Sequence, residues 1–224
     1  MEKRKIDIVF CIDGTRSMTP CLESVKAATK TFTSKFKRAM EEKQSEVELL
    51  RIKIITFRDY ECDSEPMVES PFYEMPDDVR DLEEHLNTIK PLGGGDDAEN
   101  GMEALAYAMN SDFIARGPKD RQVIVLLTDS DCHKLQERKN SPNYPSKMDT
   151  DESLLRKWYL RDQSCKLGVG KRLLLYAPVG SKYEELRNTY KGTGFVAVNA
   201  SSGLKEFEFD GIIKIIAASA SAEY

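Results

Sequence analysis

IVFCIDGTRSM, residues Ile8–Met18, decides how the rest of the chain is read. The run Ile6–Ile12 reads as a strand buried on at least one face, and Asp13-Gly14-Thr15 ends it as a turn. Outward from it the pattern recurs. Arg51–Phe57 (RIKIITF), Gln122–Leu127 (QVIVLL), Arg172–Tyr176 (RLLLY) and Gly194–Val198 (GFVAV) read as further strands. Met67–Phe72, after the polar turn at Glu61–Glu65, reads as one more, antiparallel as a hairpin requires. Helical stretches separate them: Pro20–Lys43, Asp77–Ile89, Ala98–Asn110, Glu152–Arg161, Tyr183–Tyr190 and Leu204–Ala218. In the first, Leu22, Val25, Ala28, Phe32 and Phe36 recur at intervals of three and four. Asp77 or Asp78 is placed to cap the second. This alternation predicts an α/β fold: a mostly parallel six-stranded sheet with one antiparallel edge strand and helices on both faces.

The 224 residues fit one domain, 1–224, without internal repeat or low-complexity linker. Apolar residues at 40% and charged residues at 32% describe a chain that stays in solution and still buries a core. A formal net charge of −5 lacks the footprint of a general nucleic-acid binder. No apolar run reaches the roughly 18 residues of a membrane span. The basic opening MEKRK meets Asp7 and Asp13 in place of a secretory apolar stretch. Cys11, Cys21, Cys62, Cys132 and Cys165 are odd in number and scattered, which argues against a disulfide framework and for a cytoplasmic, reducing setting.

In open sheets of parallel strands, ligands sit beyond the carboxyl ends of the strands. Three oxygen-rich turns fall there. The first strand ends in Asp13, Thr15 and Ser17; Gly93–Gly95 lead into Asp96 and Asp97; the apolar run Gln122–Leu127 ends in Thr128-Asp129-Ser130-Asp131. Carboxylates and hydroxyls are hard ligands suited to Mg²⁺, Ca²⁺ or Mn²⁺ in preference to zinc. One such turn is ordinary capping chemistry. Three at one end of a sheet point to a site.

Taken together, IVFCIDGTRSM, RIKIITFRDY, PLGGGDDAENGMEALAYAM and VIVLLTDSDCH resemble a von Willebrand factor type A domain over about residues 5 to 132. The metal-ion-dependent adhesion site of that family opens with Asp-x-Ser-x-Ser, and the Gly-Gly-Gly-Asp turn before a helix is similar to its bacterial and kinase-linked branches. The resemblance implies a three-layer, Rossmann-like fold and a divalent cation, Mg²⁺ first and Ca²⁺ or Mn²⁺ as alternatives. By position it makes Asp13, Thr15 and Ser17 ligands from the first turn and Asp129 a ligand from the later strand. Many members place a threonine in the second turn, where this chain has Asp96, beside Asp97. In the usual site neutral hydroxyls keep the metal electrophilic towards a partner's carboxylate. A further carboxylate lowers that demand and favours tighter, more self-contained metal binding. The resemblance also implies a cytoplasmic protein-interaction module without catalytic residues, a scaffold or regulator in a signalling or stress response. Its partner would be a protein, a kinase or phosphatase encoded nearby.

The rival reading is an Mg²⁺-dependent phosphohydrolase, since haloacid-dehalogenase enzymes also begin with an apolar strand and Asp-x-Asp-Gly-Thr. Their nucleophilic aspartate would fall on Cys11, and without a carboxylate there the aspartyl-phosphate chemistry is lost. Cys132-His133 lacks the partners of a zinc site and reads as structural or as an edge-of-site pair. Gly168-Val169-Gly170 precedes a strand and reads as a turn. His85 reads as solvated, and Trp158 as a helix-to-core anchor. Ser130–Thr150 is polar and without periodicity, a loop expected to lie beside the metal and to contact a partner or act as a lid.

Overall fold

The central strand is β1 (Glu2–Asp13), whose side chains alternate between two apolar layers. Ile6, Ile8, Phe10 and Ile12 are buried on one side and Val9 and Cys11 on the other, the period of two that a strand imposes. The computed structural model describes residues 2–93, 98–159, 166–205 and 209–222. β2 (Ser45–Phe57) and β6 (Arg121–Leu127) flank β1 in parallel, and β8 (Lys171–Pro178) and β9 (Thr193–Val198) continue the sheet in parallel. The five strands read from the sequence as parallel are so.

Two short strands, β3 (Met67–Glu69) and β4 (Tyr73–Met75), lie antiparallel on β2. They stand where a single strand, Met67–Phe72, is predicted, and they bring the sheet to seven strands. Pro71, which has no N–H for a ladder, separates them. The spatial order is β3-β2-β1-β6-β8-β9. A two-residue parallel ladder joins β5 (Ala98–Glu99) to β7 (Asp131–Cys132) outside this sheet.

On one face the sheet is covered by α1 (Thr19–Glu41), α2 (Val79–Thr88) and α6 (Phe209–Ser221). On the other lie α3 (Gly101–Met109), α4 (Asp151–Tyr159) and α5 (Lys182–Thr189). Pro20 sits in the first turn of α1, where its missing N–H has no intrahelical partner to lose. Leu22, Val25, Phe32, Phe36 and Met40 form the buried stripe of α1. Phe32 stacks on Phe36 at 5.7 Å and meets Phe10 of β1 edge-on at 6.1 Å. Trp158 is the anchor expected: its ring is buried and its Nε1 donates to the Lys191 carbonyl at 3.0 Å.

Four local expectations change. Helix α3 starts at Gly101 because Ala98 and Glu99 are used in the ladder with β7. Helix α6 (Phe209–Ser221) does not include Leu204, which lies in a turn. Ser201, Gly203 and Leu204 have φ of 56°, 65° and 54°, left-handed values that a right-handed helix does not admit. His85 is half-buried against Tyr73, with ring centroids 6.2 Å apart, and burial lowers its pKa. Asp78 does precede α2, but its carboxylate accepts the Glu74 N–H at 2.7 Å and makes no cap bond. Among the described residues no helix is long and apolar enough to cross a membrane.

Candidate metal-binding site

The chain reverses its direction of travel across the sheet at β1, with β2 on one side and β6 on the other. A crevice therefore opens at the carboxyl ends of β1 and β6. Their register pairs Ile12 with Leu127, which sets Asp13 beside Thr128. Asp13 is fully buried. Its Oδ1 accepts from the Thr15 N–H at 2.8 Å and the Thr15 hydroxyl at 2.6 Å, and its Oδ2 accepts from the Thr128 hydroxyl at 2.7 Å. A single 3₁₀ turn, Arg16–Met18, curls the chain so that alternate side chains converge. Thr15 Oγ1 lies 3.2 Å from Ser17 Oγ, which donates to Asp129 Oδ1 at 2.9 Å.

Each hydroxyl has one hydrogen. With the Thr15 hydrogen on Asp13 and the Ser17 hydrogen on Asp129, the two hydroxyl oxygens turn lone pairs toward each other at 3.2 Å. Facing lone pairs repel, and a small hard cation between them removes the conflict. Neighbouring oxygens around Mg²⁺ at 2.0–2.1 Å are themselves about 2.9 Å apart in an octahedron. In chemistry and spacing the donor set fits such an ion.

Asp13 has its pKa pushed up to about 6. Burial is the main cause and the charge of Asp129 adds to it, against hydrogen bonds from Thr15 and Thr128 that favour the carboxylate. Burial likewise pushes the Cys21 thiol up to about 12, with Asp13 and Asp129 adding to the rise. Above these groups is an open cleft of about 860 Å³, lined among others by Thr15, Ser17, Asp129, Ser181 and Ser201. Arg16 stands exposed at its wall, and Val179 is 71% exposed at the rim.

The structure thus brings together Asp13, Thr15, Ser17 and Asp129. Asp96, and Asp97 with it, lies outside the described residues. The flanks of that connection, Gly93 and Glu99, both line the cleft. Among the described residues, no three His, Cys, Asp or Glu side chains gather as a metal-holding group. The site as described is two carboxylates and two hydroxyls. Asp131 plays a different part from Asp129: its Oδ1 accepts the N–H of Cys132 and of Lys182 at the start of α5.

Sequence reasoning missed several contributors. Thr128 was visible as an oxygen but its role in holding Asp13 was not. The loop after β9 supplies two backbone donors, Gly203 N–H to Asp129 Oδ2 at 2.7 Å and Ser201 N–H to the Asp129 carbonyl at 2.9 Å. The left-handed residues that precede α6 place these donors. No side-chain type announces a backbone N–H; Gly203 was the one available signal.

The loop Ser130–Thr150 touches the cleft through Ser130 and Asp131, while its body folds onto α3 and the turn after β2. His133 Nε2 lies 3.0 Å from Asp59 Oδ2, to which Arg138 also donates at 3.0 Å; Arg138 pairs with Glu61 as well. Buried Glu103 of α3 accepts from the Gln136 N–H at 2.9 Å, the Tyr144 hydroxyl at 2.8 Å and Asn100 at 3.0 Å. Burial raises the Glu103 pKa against these bonds. The loop is a fastened strap, and His133 has the structural role read for it.

Cys11 faces the core, its thiol 3.6 Å from the Ala104 carbonyl and its pKa raised by burial. The position a dehalogenase nucleophile would need is therefore sealed from the cleft, and the phosphohydrolase reading finds no support.

A family model described as the von Willebrand factor type A domain matches residues 8–131. No curated protein gives a significant match. Among solved structures, the pilus adhesin SpaC from Lactobacillus rhamnosus GG is similar with a TM-score of 0.55 and 13% identity, over 97% of this chain and 31% of that one. A von Willebrand factor type A protein from Catenulispora acidiphila is similar with a TM-score of 0.52 and 15% identity, over 99% of this chain and 44% of that one. The chain thus spans less than half the length of either, and at such identities the likeness is one of fold.

Proposed function

The chain belongs to the von Willebrand factor type A domain family, and from that premise we propose that it is a cation-dependent protein-interaction module and not an enzyme. The observation that carries the reading is the relay Asp13–Thr15–Ser17–Asp129, whose hydroxyl oxygens face each other across 3.2 Å. Thr15, Ser17 and Asp129 would hold the ion directly. Asp13 fixes Thr15 through two hydrogen bonds and Thr128 through a third. The Gly203 N–H fixes the rotamer of Asp129. Asp96 is assigned to the second loop on the family resemblance. Mg²⁺ suits this set best, with Ca²⁺ and Mn²⁺ as alternatives. When bound, the cation would have its shell completed by water or by an oxygen of a protein partner, the latter less strongly demanded with Asp96 present.

The Gly-Gly-Gly-Asp sequence supports placement in a bacterial, kinase-linked branch of the family. On that reading the module is cytoplasmic, acts as scaffold or regulator in signalling or stress, and has a kinase or phosphatase as partner.

The test is a thermal melt with and without Mg²⁺, Mn²⁺ or Ca²⁺. Binding to the native state alone stabilises by about 2.7 kcal/mol at a hundredfold excess over Kd, and Asp13→Ala should abolish the shift. No shift with any of the three ions at millimolar concentration sinks the metal reading.

A further inference from the structure

The turn that carries Asp13, Thr15 and Ser17 is held from outside by a residue the function does not yet use. Arg58, at the end of β2, is buried, and its guanidinium serves three carbonyls from three segments. Its Nε donates to Gly14 O at 2.9 Å, one terminal nitrogen to Glu65 O at 2.9 Å and the other to Lys90 O at 2.8 Å. We infer that Arg58 is a positioning residue for the metal site, clamping the Gly14–Thr15 peptide and tying it to the segment that leads into the second loop. This rests on the cation-binding reading above.

The argument is one of rigid geometry. A peptide unit is planar, so the Gly14 carbonyl and the Thr15 N–H are opposite ends of one plate. Arg58 grips the carbonyl end; Asp13 Oδ1 accepts from the amide end at 2.8 Å. Releasing the carbonyl frees the plate to swing, and with it the Thr15 hydroxyl. The Leu92 N–H also donates to Gly14 O, at 3.1 Å, and the Gly14 N–H donates to Phe57 O at 2.8 Å. The first turn and the approach to Gly93 are thereby joined at one oxygen.

Gly14 is matched to this clamp. A Cβ there would lie 2.6 Å from Thr56 Cγ2 and 3.1 Å from both Cζ and Nε of Arg58. Lysine cannot substitute for the clamp, because three separated carbonyls need a planar fork and not a point charge.

The experiment titrates Mn²⁺ into the metal-free protein by calorimetry for the wild type, Arg58→Lys, Gly14→Ala, the double variant and Arg172→Lys. Arg172 is a buried arginine at the far end of β8 and controls for general damage. Circular dichroism checks that each variant is folded. Arg58→Lys and Gly14→Ala should each raise the Kd for Mn²⁺ at least tenfold, Arg172→Lys less than twofold. The double variant should be little weaker than either single one, since both disturb one contact. In the metal-free state, amide exchange at Thr15 should quicken in Arg58→Lys. If Arg58→Lys does not fold, Gly14→Ala carries the same readouts. Wild-type affinity in Arg58→Lys with unchanged Thr15 exchange overturns this inference alone. No Mn²⁺ uptake by the wild type overturns the metal reading and this inference together.

Discussion

Replacing Gly203 with alanine should be among the most damaging single-methyl changes available in this chain. Its φ of 65° is left-handed, which costs a residue with a Cβ about 1–2 kcal/mol. The new Cβ would also stand 2.2 Å from Ser17 O and 2.8 Å from Pro20 Cδ, a backbone atom and a ring that cannot rotate away. The loop must back off, and doing so stretches the 2.7 Å bond from Gly203 N–H to Asp129 Oδ2. A hydrogen bond to a charged group contributes about 1.5–3 kcal/mol. The two effects together come to about 2.5–5 kcal/mol. Gly192 separates them: its φ is 84°, yet a Cβ there meets nothing nearer than 3.7 Å. Gly192→Ala should therefore lose about 1–2 kcal/mol. Urea unfolding followed by Trp158 fluorescence and by circular dichroism measures both. If Gly203→Ala costs no more than Gly192→Ala, the contact between this loop and the site is not what the geometry says.

Other expectations concern parts of the molecule away from Gly203. Buried Asp7 takes both 2.8 Å bonds from Arg51 and the N–H groups of Ile114 and Ala115; Asp7→Ala should cost about 3–5 kcal/mol by leaving Arg51 only the Asp112 carbonyl and the Phe72 ring and two amides without their acceptor. A loss under 1 kcal/mol in chemical denaturation would contradict this. His133→Ala should loosen the strap, so trypsin should cut at Arg138 or Lys139 at least several-fold faster; an unchanged digestion pattern argues that Glu103 alone secures it. Purified protein should show no Mg²⁺-dependent hydrolysis of a generic phosphomonoester, Cys11 being sealed in the core. Turnover that survives repurification and vanishes in Asp13→Asn would reinstate the hydrolase.

The parts of the fold legible in the sequence are those where packing acts through side chains. Ile6–Ile12 and Gln122–Leu127 are buried on both faces, and a strand in that position is apolar along nearly its whole length, Asp7 and Gln122 being buried only with hydrogen-bond partners. The edge was less legible, because β3 and β4 are defined by what β2 offers them and by the gap at Pro71. Asp13, Thr15, Ser17 and Asp129 stood out because hydroxyls and carboxylates at strand ends are chemically conspicuous. Their supports did not. Gly203 and Ser201 act through amides, and Arg58 acts on carbonyls, groups that every residue carries. That Leu204 lies outside α6 is hidden for the same reason: it continues an apolar pattern, and its left-handed φ leaves no trace in residue type.

The Ser17–Asp129 bond joins residues 112 apart in sequence, and Gly203 and Asp129 are 74 apart. At about 5–20 residues per second, roughly ten to forty seconds of translation separate the emergence of the first turn from that of Gly203. Late in that interval Arg58, Thr128 and Asp129 have already been made, and what the nascent chain still lacks is the Gly203 N–H that fixes the Asp129 carboxylate. On the proposed reading the ion is held at full strength only once that loop is in place. Full cation affinity then becomes a proofreading signal, present in a chain made through to its ninth strand and the loop beyond, and absent from a prematurely terminated one.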